Sequence, residues 1–305
     1  MKRHLPAIRE SLLLSIPQRF PIDDPRNTLA DAMKYSIQGG KHIRPLFVLA
    51  TYQLLRGSSA NIEKILPLAV SIEMVHAFSL IQDDLPCMDN DTLRRGQATT
   101  HVKFQEDMAI LTGDQLLFRV FGILSRDLRR TEAKPGLYTA DRVLDLQDYL
   151  GSAFEELVEG QVLDLRDESV RSKSREDQFE YLKSMHSGKT GAMIRAAIVG
   201  PAIIEGESRE TIATLEEYAG CLGRLFQITD DILDATKNTE ELGKTAGKDE
   251  SQDKLTYVTF LGIEGAMREA EKEASTALQS ISVLDAKYNT ALLKDLINVV
   301  LTREK

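Results

Sequence analysis

Residues 77–89 read Ala77-Phe78-Ser79-Leu80-Ile81-Gln82-Asp83-Asp84-Leu85-Pro86-Cys87-Met88-Asp89 and place three carboxylates directly after an apolar segment. Residues 225–234 repeat this arrangement as Leu225-Phe226-Gln227-Ile228-Thr229-Asp230-Asp231-Ile232-Leu233-Asp234. Carboxylates beside apolar segments are costly to bury unless something cationic neutralises them. Two such clusters facing each other would form a site for hard divalent metals, which prefer oxygen ligands and often hold substrate phosphates. The pair therefore predicts chemistry on a phosphorylated substrate.

The apolar residues around these clusters follow the helical period. They recur at spacings of three and four along most of the chain, whereas strand-like alternation is scarce and no Asn-Gly or Asp-Gly hairpin signal occurs. The sequence therefore predicts an all-α protein. Because the two Asp clusters are far apart in sequence, a single helical bundle must bring them together, and no long linker divides it. We expect one domain over residues 1–305.

Composition narrows the class of protein. The 305 residues carry a net charge of −9, which argues against general nucleic-acid binding. Two cysteines, Cys87 and Cys221, form neither a disulfide framework nor a zinc-ligand spacing, which favours a reducing compartment. We find no secretory signal and no apolar run of about 18 residues, so we expect a cytoplasmic protein without a membrane span.

The two clusters differ in local geometry. Asp230 and Asp234 are four residues apart and share one face of a helix. Asp83 and Asp89 are six apart, and Pro86 breaks the helix, so their carboxylates converge only if residues 85–88 loop out. A solvated acidic surface is the alternative explanation for one cluster alone. It explains poorly a pair in which each member has basic neighbours.

Those basic neighbours form the third pattern. Lys41 and Arg44 follow a Gly pair where a helix begins, and backbone N–H groups there would add to an anion site. Arg94 and Arg95 follow the first cluster, and guanidinium groups suit phosphate oxygens. Lys189 and Lys244 each follow a glycine, as in a P-loop. A P-loop is excluded because the glycine required five positions earlier is Lys183 in one case and Asn238 in the other.

Taken in order, these motifs resemble those of the trans-isoprenyl diphosphate synthases, most closely the bacterial farnesyl/geranylgeranyl diphosphate synthase group. The resemblance spans about residues 35–260. Its motifs are Gly39-Gly40-Lys41 with Arg44-Pro45, Glu73-Met74-Val75-His76, both Asp clusters, Arg94-Arg95-Gly96, Thr100-His101, Gly113-Asp114, Gly160-Gln161 with Asp164-Leu165, Gly188-Lys189-Thr190-Gly191, Phe226-Gln227 and Gly243-Lys244-Thr245-Ala246-Gly247-Lys248-Asp249. The resemblance implies an all-α isoprenoid synthase-type bundle with a central active-site cavity, usually a homodimer.

The resemblance also implies roles for named residues. Magnesium, expected as three ions, would be held with an allylic diphosphate by Asp83, Asp89 and Asp230, supported by Asp84, Asp231 and Asp234. The same diphosphate would be bound by Arg94, Lys189 and Lys244, with Lys254 as a further candidate. Isopentenyl diphosphate would be bound by Lys41, Arg44, His76 and Arg95. Thr190 and Gln227 would stabilise the allylic carbocation through their oxygen dipoles. The Gly- and charge-rich residues 237–253 are expected to close over bound diphosphate.

Product length depends on the helix that enters the first cluster. Phe78 precedes Asp83 by five residues, about 7.5 Å of helix rise, where an aromatic ring goes with a fifteen-carbon product in this family. The sequence thus predicts a magnesium-dependent prenyltransferase that makes farnesyl diphosphate. Phe78 as plain core packing is the alternative, and small Ser79 keeps a geranylgeranyl diphosphate synthase possible. A non-catalytic partner subunit is the rival from another class, although such subunits tend to lose an Asp cluster and this chain has both.

Overall fold

The structure is a computed structural model that describes residues 2–17, 20–21, 23–129, 137–236 and 254–302. Within these ranges helices account for nearly all regular structure, which confirms the predicted all-α class. The α-helices are α1 (Leu5–Leu14), α2 (Arg26–Ser36), α3 (Ile43–Arg56), α4 (Leu66–Asp83), α5 (Thr100–Phe104), α6 (Glu106–Ile123), α7 (Ala140–Leu165), α8 (Arg175–His186), α9 (Ala192–Glu205), α10 (Arg209–Thr236), α11 (Tyr257–Ser282) and α12 (Ala291–Leu301).

The chain forms two compact units. One comprises Met1–Leu49 and Asn61–Gln147, and the other comprises Ala50–Ala60 and Asp148–Lys305. The first Asp cluster belongs to the first unit and the second Asp cluster to the second. The single domain expected over residues 1–305, and its central cavity, stay predictions.

Helix α4 is the core of the first unit. Its residues are buried on every side from Leu66 to Val75, as expected of a helix that is apolar all round. It packs against α1 and α6. At the crossing with α6, the Phe78 ring lies where a side chain on Gly113 would be, since an added Cβ would be 3.3 Å from its Cδ2. The helix ends at Asp83, three residues before Pro86, as the sequence predicts.

Helix α6 has two apolar faces. Ala109, Leu116 and Val120 are buried, while an arc of about 100° on the other side exposes Ile110, Leu111, Phe118 and Phe121. Together with the π-helical turn Leu124–Leu128, it is the single segment of the described chain that is long and apolar enough to cross a bilayer. Length and composition alone do not show a span, so the expected lack of one stays a prediction.

The second unit is built on the long helices α10 and α11, which pack along each other and against α9 and α12. Helix α9 is almost entirely buried and is capped after Glu205 by Gly206, whose φ of 70° gives the left-handed conformation that glycine adopts freely. Helix α11 begins at a capping box in which Thr256 and Thr259 satisfy each other's backbone N–H groups. This start lies beside the second Asp cluster.

The described part of the chain contains a hairpin that the sequence does not predict. Strand β1 (Leu93–Arg94) pairs antiparallel with β2 (Gln97–Ala98), joined by Arg95 and Gly96. Both turn residues have positive φ, 55° and 74°, the pattern of a two-residue turn that matches strand twist. The usual signal is Asn or Asp before glycine, so an arginine in the first position hid this turn.

Candidate active site

The first Asp cluster folds back on itself at the end of α4. The Asp89 N–H donates to the Asp83 carbonyl at 2.9 Å, and Met88 and Asn90 both donate to Leu85. Residues 85–88 therefore loop out, which confirms the condition under which Asp83 and Asp89 converge. Both residues are half-buried, whereas Asp84 is buried.

Arg94 is tied to the first cluster by its own ion pairs. Its Nε donates to Asp84 Oδ1 at 3.0 Å, its Nη2 also bonds that oxygen, and Asp91 lies 3.4 Å away. Burial opposes the positive charge, but the hydrogen bond to Asp84 and the nearby carboxylates outweigh it and raise the pKa of Arg94. Arg94 thus keeps its charge at the cluster, and Asp84 orients it there.

The residues predicted to bind isopentenyl diphosphate are grouped in the first unit. The Arg95 guanidinium lies against Gly40, where an added Cβ would be 2.6 Å from Cζ, and Nη1 lies 3.3 Å from the Gln38 carbonyl. Burial lowers the pKa of His76 well below its ordinary value, and the charges of Arg44 and Arg95 lower it further. His76 is therefore neutral beside two arginines. Lys41 is exposed.

Asp231 is the centre of the second cluster. Its two carboxylate oxygens accept from Gln227 Nε2 at 3.0 Å and from the Tyr257 N–H, the first of α11, at 2.8 Å. Thr190 Oγ1 in turn donates to Gln227 Oε1 at 3.0 Å. This series of hydrogen bonds turns the Oε1 end of the Gln227 amide toward Thr190. Asp230 and Asp234 stay on one helix, as predicted, because α10 continues to Thr236.

Two of the predicted diphosphate-binding lysines converge on Asp164 of α7. Lys189 Nζ lies 2.6 Å from Asp164 Oδ2, and Lys254 Nζ lies 3.5 Å from the same oxygen. Burial alone would raise the pKa of Asp164, but the charges of Lys189 and Lys254 outweigh it and lower the pKa. The structure thus places Lys254 beside Lys189. Lys244 and the expected closure of residues 237–253 lie outside the described residues.

Lys189 and Thr190 sit on a π-helical turn, Ser187–Gly191, of a kind frequent at functional sites. The backbone of helix α7 packs directly against the backbone of this turn at Gly160. A Cβ added to Gly160 would lie 2.6 Å from the Gly188 carbonyl carbon and 2.8 Å from the Lys189 Cα. On the other side, a Cβ on Gly223 of α10 would lie 3.1 Å from the Gly191 Cα. Glycines on both neighbouring helices therefore fix the position of the turn.

The donors of both clusters fit magnesium, which takes carboxylate oxygens. Within the described parts of the chain, no three His, Cys, Asp or Glu side chains are arranged so that they could hold a metal ion. The backbone fold at Asp83 and Asp89 and the shared helix face of Asp230 and Asp234 nevertheless supply the required oxygen donors in two groups. The metal assignments of Asp83, Asp84, Asp89, Asp230, Asp231 and Asp234 stay predictions.

Comparison with known proteins identifies the family. The polyprenyl synthetase family model matches residues 26–296. The chain belongs to the polyprenyl synthetase family. Its members are prenyltransferases of isoprenoid synthesis, so the reaction class predicted from the motifs is confirmed.

Individual relatives of this polyprenyl synthetase cover nearly the whole chain. Geranylgeranyl pyrophosphate synthase 3, chloroplastic, of Arabidopsis thaliana is 42% identical over 277 residues, 89% of this chain and 72% of its own length. An FPP/GFPP synthase from Zymomonas mobilis superposes with a TM-score of 0.81 at 30% identity, covering 99% of this chain and 97% of that one. The geranyltransferase from Helicobacter pylori, complexed with magnesium and isoprenyl diphosphate, also gives 0.81 at 30% identity, covering 98% and 94%. The fold is that of the isoprenyl synthases.

Two features of this site escaped sequence reasoning. Asp164 lies in one of the motifs of the resemblance, but one acid on an acidic helix carries no local signal of its role. The close approach of Gly160 to Gly188 joins residues far apart in sequence, which no spacing rule detects. Neither feature is a proposed ligand, and each holds the predicted ligand Lys189 in place.

A buried histidine near the second cluster predicts acid sensitivity. Burial lowers the pKa of His186 to about 3, and its ring stacks on Tyr257 with centroids 5.6 Å apart. In the unfolded chain the His186 ring is protonated below about pH 6.5, whereas in the folded chain it stays neutral down to about pH 3. Stability is therefore expected to fall as the pH drops from 6.5, by about 2 kcal/mol at pH 5 from this residue.

Urea unfolding at pH 7 and pH 5 measures this effect. His186→Gln should reduce the difference between the two free energies of unfolding by about 2 kcal/mol. His101→Gln, at a half-buried histidine of the first unit, is the control. Its free energies of unfolding at pH 7 and pH 5 should differ by more than those of His186→Gln do. Identical pH dependence in wild type and His186→Gln would contradict the assignment.

Proposed function

We propose that this polyprenyl synthetase condenses isopentenyl diphosphate with dimethylallyl or geranyl diphosphate, releases diphosphate and makes mainly farnesyl diphosphate. The observation that carries the proposal is the pair of half-sites: in each unit, an Asp cluster lies beside basic side chains that carboxylates of the protein orient. Arg94 is held by Asp84, and Lys189 and Lys254 by Asp164. Such cations bind the oxygens of a diphosphate.

In this proposal each unit contributes residues with defined tasks. Asp83, Asp89 and Asp230 would hold three magnesium ions, with Asp84, Asp231 and Asp234 supporting them. When bound, the metal would neutralise diphosphate oxygens as the allylic C–O bond ionises. Arg94, Lys189, Lys254 and Lys244 would stabilise the same developing charge. The isopentenyl double bond would attack the allylic cation and form the new C–C bond, and the resulting cation would lose a proton to the departing diphosphate, which forms the new double bond without a covalent enzyme intermediate.

Two hydrogen-bonded groups suit the cationic intermediate. The Thr190 hydroxyl donates a hydrogen bond to Gln227 Oε1, so the lone pairs of Thr190 Oγ1 remain available to a neighbouring positive charge. Gln227 is fixed from its other end by Asp231. We assign both oxygens to stabilisation of the allylic carbocation. On the isopentenyl side, neutral His76 can donate a hydrogen bond to diphosphate beside Arg44, Arg95 and Lys41.

Phe78 supports the fifteen-carbon product. Its ring is 6% exposed, lies on the helix that leads to Asp83, and fills the space beside Gly113. Geranylgeranyl diphosphate is the second candidate, favoured by the name of the Arabidopsis relative. Since both half-sites carry their Asp cluster and cations, a non-catalytic partner subunit is the weakest of the three alternatives.

A product assay tests the proposal. Purified protein receives labelled isopentenyl diphosphate, one allylic starter at a time, and magnesium, and the products are dephosphorylated and separated by length. We expect a fifteen-carbon alcohol as the main product. A twenty-carbon product would retain the reaction and overturn the role of Phe78, and no product from any starter would overturn the enzyme assignment.

Phe78→Ala should shift the main product to twenty carbons or more, because removal of the ring opens space along α4. The same assay measures this shift. Ser79→Ala changes the next residue by one oxygen atom and should leave product length unchanged. Phe78→Ala also removes a buried ring and should lower the free energy of unfolding by about 3–5 kcal/mol, so Phe78→Leu provides a milder second variant. A fifteen-carbon product from both Phe78 variants would show that the ring is core packing only.

We further propose that the chain is a cytoplasmic homodimer without a membrane span. Support for the dimer comes from the exposed face of α6, where Phe118 is 68% and Leu111 52% exposed. Apolar patches of this kind mark interaction surfaces. Light scattering on the purified protein measures the mass in solution, and a monomer at micromolar concentration would contradict the dimer.

A further inference from the structure

The turn that leads into α3 has an unusual backbone. Gly39, Gly40 and His42 have φ values of 75°, 74° and 48°. Glycine adopts such values freely, but a histidine is disfavoured there by its Cβ. Strained residues persist only where the surrounding structure holds them, and they concentrate at functional sites. His42 is therefore held in place by something outside the turn.

That partner is Glu73 of α4. The His42 Nδ1 lies 2.9 Å from Glu73 Oε1, and both residues are only 3% exposed. His42 Nε2 and Glu73 Oε2 are buried without a hydrogen-bond partner among the described residues. A buried polar pair that is only half satisfied contributes little to stability compared with apolar packing. Stability alone does not account for the pair.

The pair connects two groups of substrate-binding candidates. His42 lies between Lys41 and Arg44, and Glu73 lies one helical turn before His76, on the same side of α4. One hydrogen bond thus holds the turn with Lys41 and the adjoining start of α3 with Arg44 against α4, which carries His76. Loss of this bond would free the strained turn to relax and would separate the groups.

We propose that the His42–Glu73 pair positions the binding site for isopentenyl diphosphate. The inference rests on the proposed function, because that function assigns this ligand to Lys41, Arg44, His76 and Arg95. His42 and Glu73 touch no substrate in this scheme. They act as positioning residues by keeping the turn and α4 in register.

The test is binding of isopentenyl diphosphate, measured by titration calorimetry without an allylic partner, so that it does not depend on turnover. Glu73→Leu removes the acceptor and should raise the dissociation constant about tenfold or more. Glu73→Gln keeps an acceptor for the His42 N–H and should stay within about threefold. Geranyl diphosphate with magnesium, titrated into the same proteins, should bind equally well to all of them.

His42→Asn provides a second variant in case Glu73→Leu does not fold. Asparagine tolerates positive φ but is too short to reach the carboxylate, so it should weaken binding as Glu73→Leu does. The double variant should be little worse than either single one, because the two residues act as a unit. Ser71→Ala, at a buried hydroxyl of the same helix without a partner among the described residues, is the control and should change neither affinity.

The outcomes separate this inference from the proposed function. An equal loss of affinity for both ligands in Glu73→Leu and His42→Asn would overturn the positioning role and leave a purely structural one. Unchanged affinity for isopentenyl diphosphate in these variants would also overturn it. Failure of the wild type to bind isopentenyl diphosphate at all would overturn the proposed function along with the inference. Selective loss in the variants, with product formed by the wild type, supports both.

Discussion

Gly160→Ala is expected to lower kcat about a hundredfold, because it displaces the turn that carries Lys189 and Thr190. The new Cβ would lie 2.6 Å from the Gly188 carbonyl carbon and 2.8 Å from the Lys189 Cα. These are backbone atoms, so no side chain can rotate away and the π-helical turn itself must move. A shift of about 1 Å is enough for this loss, since it moves Lys189 from its place and breaks the alignment of Thr190 with Gln227.

Gly151→Ala is the matched control on the same helix. Nothing lies within 4 Å of a Cβ added there, so alanine should stabilise α7 by up to about 1 kcal/mol and leave kcat unchanged. Gly160→Ala should also lower the free energy of unfolding by about 1–3 kcal/mol through overpacking. Steady-state kinetics and urea unfolding measure both effects. A Gly160→Ala protein that is folded and retains wild-type kcat would show that the crossing does not position the turn.

Much of this architecture follows from local patterns in the sequence. The helical period of apolar residues predicts the all-α class, and Pro86 predicts the end of α4. The spacing of Asp230 and Asp234 predicts their common helix face, and the structure contains the loop at residues 85–88 that a convergence of Asp83 with Asp89 requires. These features depend on residues within one or two helical turns, where sterics and hydrogen-bond geometry decide the outcome.

Features that depend on distant residues could not be predicted. The hairpin at Arg95 and Gly96 lacks the usual Asn or Asp before its glycine. The side chain of Arg95 instead lies against Gly40, a contact between residues far apart in sequence. Asp164 gains its importance from Lys189 and Lys254, which are 25 and 90 residues away. Such pairings arise from the packing of helices, which a single sequence does not specify.

The sequence predicts which cations belong to the site, but not which carboxylates orient them. The sequence predicts Arg94 and Lys189 as ligands of a diphosphate, and in the structure Arg94 donates a hydrogen bond to Asp84 and Lys189 donates one to Asp164. A half-buried cation requires an anionic partner, so carboxylates of the protein hold these groups charged and oriented. Binding of a diphosphate would exchange one set of anionic oxygens for another without moving the charges far.

The second large effect concerns the difference between two neighbouring carboxylates. Asp230→Asn and Asp231→Asn are both expected to lower kcat about a hundredfold or more, since each removes a carboxylate from the proposed magnesium site. Their effects on stability should differ. Both oxygens of Asp231 accept hydrogen bonds, from Gln227 Nε2 and from the Tyr257 N–H. An asparagine can accept only one of these, because its other end is itself a donor.

Unfolding in urea with a chelator present, so that magnesium makes no contribution, isolates this difference. Asp231→Asn should lower the free energy of unfolding by about 1–3 kcal/mol, the cost of one unsatisfied buried donor. Asp230 is half-buried whereas Asp231 is buried, so Asp230→Asn should lower the free energy of unfolding by less than Asp231→Asn does. Equal losses of stability would contradict the role of Asp231 as the anchor of Gln227 and α11. A wild-type kcat for Asp230→Asn would contradict the assignment of Asp230 to the magnesium site, because the substitution keeps the shape of the side chain and removes its charge.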